Sequence, residues 1–317
     1  MNDNSFRRQL DAVMLVSGAA IPGQGEDSAC CVSDESAAMI GVFDGCGGLG
    51  ARVYPGFRDH TGAYLASRLL SGAAHDWFFM PGRDARAPAE ALRGAFTAAY
   101  AAARPFAGGQ SMLRGSMVRD LPSTAAIAYA RPGQGGVELH VVWAGDSRVY
   151  LIDRMGLAQL TADDVDGTDA LSGITGDGAL TNVVSSDGSY TLHSRVLLLR
   201  EPTMVLAATD GCFAYLRTPM EFENLLLSHL TRAQNPKDFR RRLNDAFAAI
   251  AGDDYSLGIM SFHFHDFSSQ QRFFSQRAQS LYDYYVQPLE QSADAALRQK
   301  LWAAYRPAYE RCLEGGA

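Results

Sequence analysis

The sequence predicts an α+β protein with a helical C-terminal extension. Short apolar runs bounded by turn residues fill the first two-thirds of the chain, interrupted by two helical stretches. Two more helical stretches and one last strand follow, and from about residue 266 the pattern is helical throughout. At 317 residues the chain can bury a large core, as one large domain or two small ones. The change of character divides it into residues 1–265 and an extension over 266–317.

The runs "SACCVSD" and "AAMIGVFDG" read as strands separated by the polar turn "DES". On a strand the adjacent Cys30 and Cys31 face opposite sides. Apolar residues fall at helical spacing in "RDHTGAYLASRLLSG" and "APAEALRGAFTAAYAAARP", with Pro105 ending the second. Strands "STAAIAYA" and "GVELHVVWAGD" are joined by the turn "RPGQGG"; "SRVYLIDRMG" runs on from them and "MVLAATDG" comes later. Residues 163–182, rich in Gly, Asp and Thr, read as a loop or flap beside a site. "PMEFENLLLSHL" and "NPKDFRRRLNDAFAAIAG" read as helices, the second with Asn235 as N-cap and Pro236 at the first helical position. "YSLGIMSFHF" is the final strand, with His263 and His265 on one exposed face. In the extension Leu297, Leu301, Trp302 and Tyr305 form an apolar stripe, with Pro288 and Pro307 as breaks or kinks. The stripe is expected to pack on the main domain; a partner or dimer surface is the alternative.

A net charge of −7 and the lack of any Lys/Arg-rich run argue against nucleic acid or an anionic membrane as partner. Near the N-terminus the one apolar run is short and broken by Asp11, so no signal peptide is expected, and no segment approaches the length of a membrane span. Five cysteines without a Cys-x-x-Cys pair suit a reduced, cytoplasmic protein better than a disulfide or zinc framework. Ser147 in "GDSRVY" lacks the glycines of a nucleophile elbow and reads as part of a tight turn.

The chemistry-bearing signal is acidic. Glu26 and Asp27 in "GQGEDSAC", Asp44 in "VFDGCGG", Asp210 in "AATDGCF", and Asp253 and Asp254 in "AGDDYSLGIM" all sit in a turn beside a strand, and Asp146 in "VVWAGDSRVYLI" sits between two apolar runs. Each alone is an ordinary turn acid. Together they can converge on one edge of a folded sheet, where carboxylates repel unless a cation lies between them. A hard divalent cation with oxygen ligands, Mg²⁺ or Mn²⁺, is the economical solution, and Gly45 would let its backbone carbonyl approach the ion.

In order and spacing, "VFDGCGG", "STAAIAYA", "WAGDSRVYL", "LTADD", "AATDGCFAYL" and "DDYSLGIM" resemble the motifs of the metal-dependent type 2C serine/threonine protein phosphatases, over roughly residues 10–262. The resemblance implies two packed antiparallel β-sheets flanked by helix pairs, with a binuclear site at one end of the sandwich. By position, Asp44 resembles the carboxylate that bridges both metals, with the Gly45 carbonyl as a further ligand. Asp210 and Asp253 resemble the remaining ligands of the first metal, and Glu26 a ligand of the second. Asp27 resembles the neighbour that holds metal-bound water, and Asp146 the acid of a third, weaker metal position. The activity implied is hydrolysis of phosphoserine and phosphothreonine on proteins through in-line attack by a metal-activated water. The implied partners are a phosphorylated protein and its cognate serine/threonine kinase, and the short loops suit a bacterial-type member.

Two positions depart from the pattern. Cys46 stands where many members have a histidine read as the acid for the leaving alcohol. The phosphate-binding arginine expected shortly before the Glu-Asp pair is missing from "IPGQG", with Arg52 and Arg58 as candidate substitutes. These departures motivate the alternative, a non-catalytic phosphatase-like binding or scaffolding module; the full set Asp44, Asp210 and Asp253 speaks against it. Cys46 and Arg52 also match the Cys-x-x-x-x-x-Arg spacing of phosphatases that attack with a thiolate. That reading leaves the acidic set unexplained, and nearby acids oppose both a thiolate and a phosphate dianion. Asp44 is therefore expected to hold metal, with Cys46 a bystander or weak acid.

Overall fold

Strict alternation along the strands sorts the core into layers. In β6 (Ala125–Gly133), Ala125, Ile127 and Tyr129 join one apolar cluster, and Ala126, Ala128 and Ala130 join another. β11 (Thr203–Ala208) behaves likewise: Val205 and Ala207 share the cluster of the β6 alanines, while Met204, Leu206 and Ala208 face the opposite way. The shared cluster lies between two sheets and is made mostly of Ala and Val, so the sheets approach closely. The computed structural model describes residues 6–104, 120–166 and 179–313.

One sheet has the order β1 (Leu10–Gly18), β12 (Tyr255–Phe262), β11, β8 (Arg148–Asp153), β9 (Gly156–Gln159). The other has β10 (His193–Leu199), β7 (Gly136–Ala144), β6, β3 (Ala38–Phe43), β2 (Ser28–Ser33). Neighbours pair antiparallel throughout. A small ribbon of β4 (Val53–Tyr54) and β5 (His60–Thr61) precedes α1 (Gly62–Phe79). α1 and α2 (Pro88–Ala103) cover the outer face of the second sheet. The outer face of the first sheet is covered by α3 (Pro219–Arg232), α4 (Pro236–Ile250) and the C-terminal helices. This is the helix–sheet–sheet–helix sandwich expected.

Local signals place the helices. Thr61 caps α1 by accepting from the Tyr64 N–H, and Asn235 caps α4 by accepting from the Asp238 N–H, with Pro236 following it. Cys30 packs on the helix side and Cys31 on the inter-sheet side, as strand alternation requires. Pro105 and the central part of the 163–182 loop lie outside the described residues; Val165 and Leu180 bridge its two ends. His265 is exposed, but His263 is half-buried, and its ring faces the Leu199 carbonyl at 3.3 Å.

Three strands of the two main sheets escape the sequence reading, as does the small β4–β5 ribbon. β1 pairs with β12 along its length, with a register shift between Leu10 and Ala12. Asp11, which interrupts the apolar run, sits at that irregularity and accepts from the Phe264 N–H at 2.6 Å. β9 has only four residues, and β10 is an edge strand without alternation, three polar residues (His193 to Arg195) being followed by four apolar ones.

The extension consists of α5 (Phe267–Leu281), a π-helical turn (Tyr282–Val286), α6 (Gln287–Gln291) and α7 (Ala295–Glu310). Asp266 and Ser269 form a capping box at its start. Pro288 lies in the first turn of α6, and Pro307 lies inside α7 near its end. Trp302, Tyr305 and Tyr309 are buried in the same cluster as α3 and β11, with Leu301 partly buried beside them. The buried Glu223 carboxylate of α3 accepts from Arg277 Nε and Nη2, both at 2.7 Å, and from the Tyr305 hydroxyl. Leu301, Trp302 and Tyr305 of the expected stripe thus complete the core of the first sheet, joined by Tyr309, whereas Leu297 is half-buried and lies outside that cluster. Trp302→Ala should cost about 3–5 kcal/mol, the range for truncating a buried large aromatic, and lower the urea midpoint accordingly. An unchanged midpoint would show that the extension contributes nothing to the fold.

Candidate metal-dependent active site

Antiparallel pairing brings five chain segments to one end of the sandwich. Asp44 leaves β3, Asp210 leaves β11, Glu26 and Asp27 precede β2, and Asp253 and Asp254 precede β12. Asp146 lies in the turn from β7 to β8, where Gly145 takes a positive φ of 95°.

Each acid is positioned by its neighbours. The Asp44 N–H donates to Thr124 Oγ1 at 3.1 Å, and its carbonyl accepts from the Thr124 N–H at 2.8 Å and Ser123 Oγ at 2.9 Å. Gly45 follows in a crowded place: a Cβ there would stand 2.4 Å from the Ala63 carbonyl oxygen. Asp27 accepts from Thr209 Oγ1 at 2.8 Å, and Glu26 accepts from the Thr61 hydroxyl. Asp254 faces the backbone instead, accepting from the Ala20 N–H at 2.8 Å and from the Glu26 N–H. It organises the loop that presents Glu26, a role its position beside Asp253 does not reveal.

The electrostatics tie these groups together. Burial raises the Asp44 carboxyl well above its ordinary value, and Asp27, Asp210, Asp146 and Asp253 all raise it further. Asp27 is pushed up to about 8, chiefly by burial, with Asp210 and Asp254 adding to the effect. Asp146 is pushed up to about 7 by burial and by Asp210 and Asp163, while Arg148 opposes. Asp210 is raised by burial and Asp253, and Glu26 by burial and, more weakly, Asp254 and Asp253. All the expected site carboxylates therefore share one electrostatic neighbourhood. Among the described residues no group of three or more His, Cys, Asp or Glu side chains stands in metal-coordinating geometry. Asp27 and Glu26 turn instead to hydroxyl donors, and Asp253 and Asp254 to backbone N–H groups. Asp146 Oδ1 is buried without a hydrogen-bond partner. An oxygen-only donor set, mutual repulsion and an unpartnered buried carboxylate oxygen fit a hard divalent cation.

The family model "Protein phosphatase 2C" matches residues 24–248, more than half of the chain. The chain belongs to the protein phosphatase 2C family. Members are serine/threonine protein phosphatases, and the enzyme class is that of phosphoric monoester hydrolases. Several solved structures share the fold. The catalytic domain of the phosphatase PstP, in complex with two manganese ions, is 18% identical, with a TM-score of 0.54 over 80% of this chain and 98% of that one. Stp1 from Staphylococcus aureus is 14% identical, with a TM-score of 0.58 over 80% of this chain and 95% of that one. MsPP from Mycobacterium smegmatis, in complex with cacodylate, is 17% identical, with a TM-score of 0.55 over 80% of this chain and all of that one. No curated protein matches the sequence.

In this phosphatase 2C chain Cys46 is buried, its Sγ 3.8 Å from the Asp44 carbonyl oxygen. Burial, Asp44 and Asp146 hold its thiol well above the usual range, the opposite of what a nucleophilic thiolate needs. Ser147 is buried against Thr124, hydroxyl to hydroxyl at 2.7 Å, and supports the turn. Arg52 lies beside Asp120 at 3.6 Å and over the Tyr54 ring, and Arg58 occupies a left-handed position after a short 3-10 turn. Arg68, not singled out in the sequence, lies closer to the acids. From α1 it reaches the Gly25 carbonyl with Nη2 at 2.9 Å, stacks on Tyr64 with its guanidinium carbon 3.4 Å from the ring centroid, and acts on Glu26. No local pattern could reveal it, because helix packing brings it to the Glu26 loop. No helix among the described residues is long and apolar enough to cross a membrane.

Proposed function

We propose that this phosphatase hydrolyses phosphoserine and phosphothreonine on proteins, at a Mn²⁺- or Mg²⁺-dependent binuclear site. The convergence of acids from five segments around the buried Asp44 carries the reading. Asp44 would bridge the two ions, with the Gly45 carbonyl beside it. Asp210 and Asp253 would serve one ion and Glu26 the other, with Asp27 ordering water and Asp146 offering a third, weaker position. Bound Mn²⁺ or Mg²⁺ would supply Lewis acidity and water of lowered pKa. Thr124 and Ser123 hold Asp44 in place, and Asp254 and Thr61 hold Glu26. Arg68 is the guanidinium best placed to meet a phosphoryl oxygen. The substrates would be products of a serine/threonine kinase, and five free cysteines support a reducing compartment such as the cytoplasm.

With Mn²⁺, the purified full chain should release phosphate from phosphoserine and phosphothreonine peptides and spare phosphotyrosine. Arg68→Ala should raise KM about tenfold, the scale of one lost charge-assisted hydrogen bond. Mn²⁺-independent release, or release from phosphotyrosine alone, would overturn the reading.

A further inference from the structure

Helix α7 ends against β9, the edge strand of the first sheet, and its Tyr309 is fully buried there. The Tyr309 hydroxyl donates to Gln159 Oε1 at 2.7 Å. Gln159 is itself buried, and its Nε2 donates to the Thr161 carbonyl at 2.7 Å and to Asp163 Oδ1 at 3.0 Å. Asp163 accepts from Arg148 Nε at 3.0 Å and Nη2 at 2.6 Å. The next residue, Asp164, exchanges bonds with the Asp146 turn: its Oδ2 accepts from the Gly145 N–H and its N–H donates to the Gly145 carbonyl, both at 3.0 Å. The Val149 N–H donates to Thr161 Oγ1 at 3.2 Å.

A set of buried and half-buried hydrogen bonds, continued through the Asp163–Asp164 peptide, thus leads from the extension to the turn carrying Asp146. Arg148, at the centre of this set, is fully buried, stacks over Phe213 and places its charge near Asp146 and Asp210. The Gln159 amide is held at both ends: Nε2 donates to the Thr161 carbonyl and Asp163, and Tyr309 is the side-chain donor to Oε1 in this set. A flipped amide would turn Oε1 toward the Asp163 carboxylate and the Thr161 carbonyl, three acceptors facing one another.

We propose that Tyr309 is a positioning residue for the active site, acting through Gln159 and Asp163 on Arg148 and the Asp146 turn, so that docking of the C-terminal extension completes the catalytic end of the sandwich. This rests on the phosphatase reading for its effect on turnover, but not for its effect on the structure of the turn. Tyr305, one turn earlier on the same helix, supplies the control. It is equally buried, but its hydroxyl bonds Glu223 on the helix side, away from the turn.

The test compares Tyr309→Phe with Tyr305→Phe in the full chain. The first readout is amide hydrogen exchange of the metal-free protein over residues 145–149 and 160–164; the second is kcat and KM on a small phosphate ester with Mn²⁺. Tyr309→Phe should speed exchange in those two segments and lower kcat about fivefold, the scale of one buried hydrogen bond, with KM unchanged. Tyr305→Phe should do neither while lowering the melting temperature at least as much. Gln159→Met, which keeps the side-chain length and removes the amide, should reproduce the exchange pattern and decides the matter if Tyr309→Phe does not fold. Equal exchange in both tyrosine variants, or wild-type exchange in Tyr309→Phe, would overturn the proposal. A wild-type protein without phosphatase activity would overturn the functional reading instead, leaving exchange to judge the positioning role.

Discussion

Asp44→Asn is expected to lose about a thousandfold or more in kcat, because the bridging role proposed for Asp44 would ask for a full negative charge and two oxygen donors. An amide keeps the shape and hydrogen-bond reach but offers a single neutral oxygen. The backbone of Asp44 is held by Thr124 and Ser123 independently of the side chain, so the variant should fold. Replacing a carboxyl whose charged form is disfavoured by burial and by Asp27, Asp210, Asp146 and Asp253 should make the metal-free variant more stable than the metal-free wild type at neutral pH. Lost activity with gained stability marks a functional acid. Cys46→Ser, in contrast, should keep most of the activity, since a buried thiol held up by burial and by acids makes little thiolate. Kinetics and melting curves of both variants check this. A dead Cys46→Ser beside an active Asp44→Asn would reverse the assignment and install the thiolate mechanism.

Chelation should abolish turnover, and the stabilisation that Mn²⁺ gives on return should depend strongly on pH. Asp27 at about 8, Asp146 at about 7 and the raised Asp44 and Asp210 all bind protons more tightly in the metal-free folded chain than in the unfolded one. Their favourable share of stability is fully present below the ordinary carboxylate pKa, near 4, and is lost as pH rises toward 8. Cation binding needs these groups ionised, so it strengthens across the same window. The rise in melting temperature on adding saturating Mn²⁺ to EDTA-treated protein should therefore be clearly larger at pH 8 than at pH 5.5. The chelated protein alone should melt lower at pH 8. Equal Mn²⁺ shifts at the two values, or full activity in EDTA, would remove the metal site from the account.

The acids of the site are legible in the sequence because each lies in a turn beside an apolar run, and the ends of neighbouring antiparallel strands share a sheet edge. Asp44, Asp146, Asp210 and Asp253 need only that logic, and the sheets and most helices follow from alternation, helical spacing and a cap such as Asn235. Tertiary structure decided what depends on distant partners. Asp11 looks like a break in an apolar run until Phe264 supplies the N–H that it accepts. Asp254 reads as one more acid of the set until its bonds to Ala20 and Glu26 show it holding a loop. Arg68 reaches the Glu26 loop only because α1 packs on the second sheet, and Tyr309 meets Gln159 only because α7 closes over β9. Periodicity records which face of an element is apolar. It carries no record of which element covers that face, since any apolar surface of similar shape would satisfy the same pattern; only packing of the whole chain selects one.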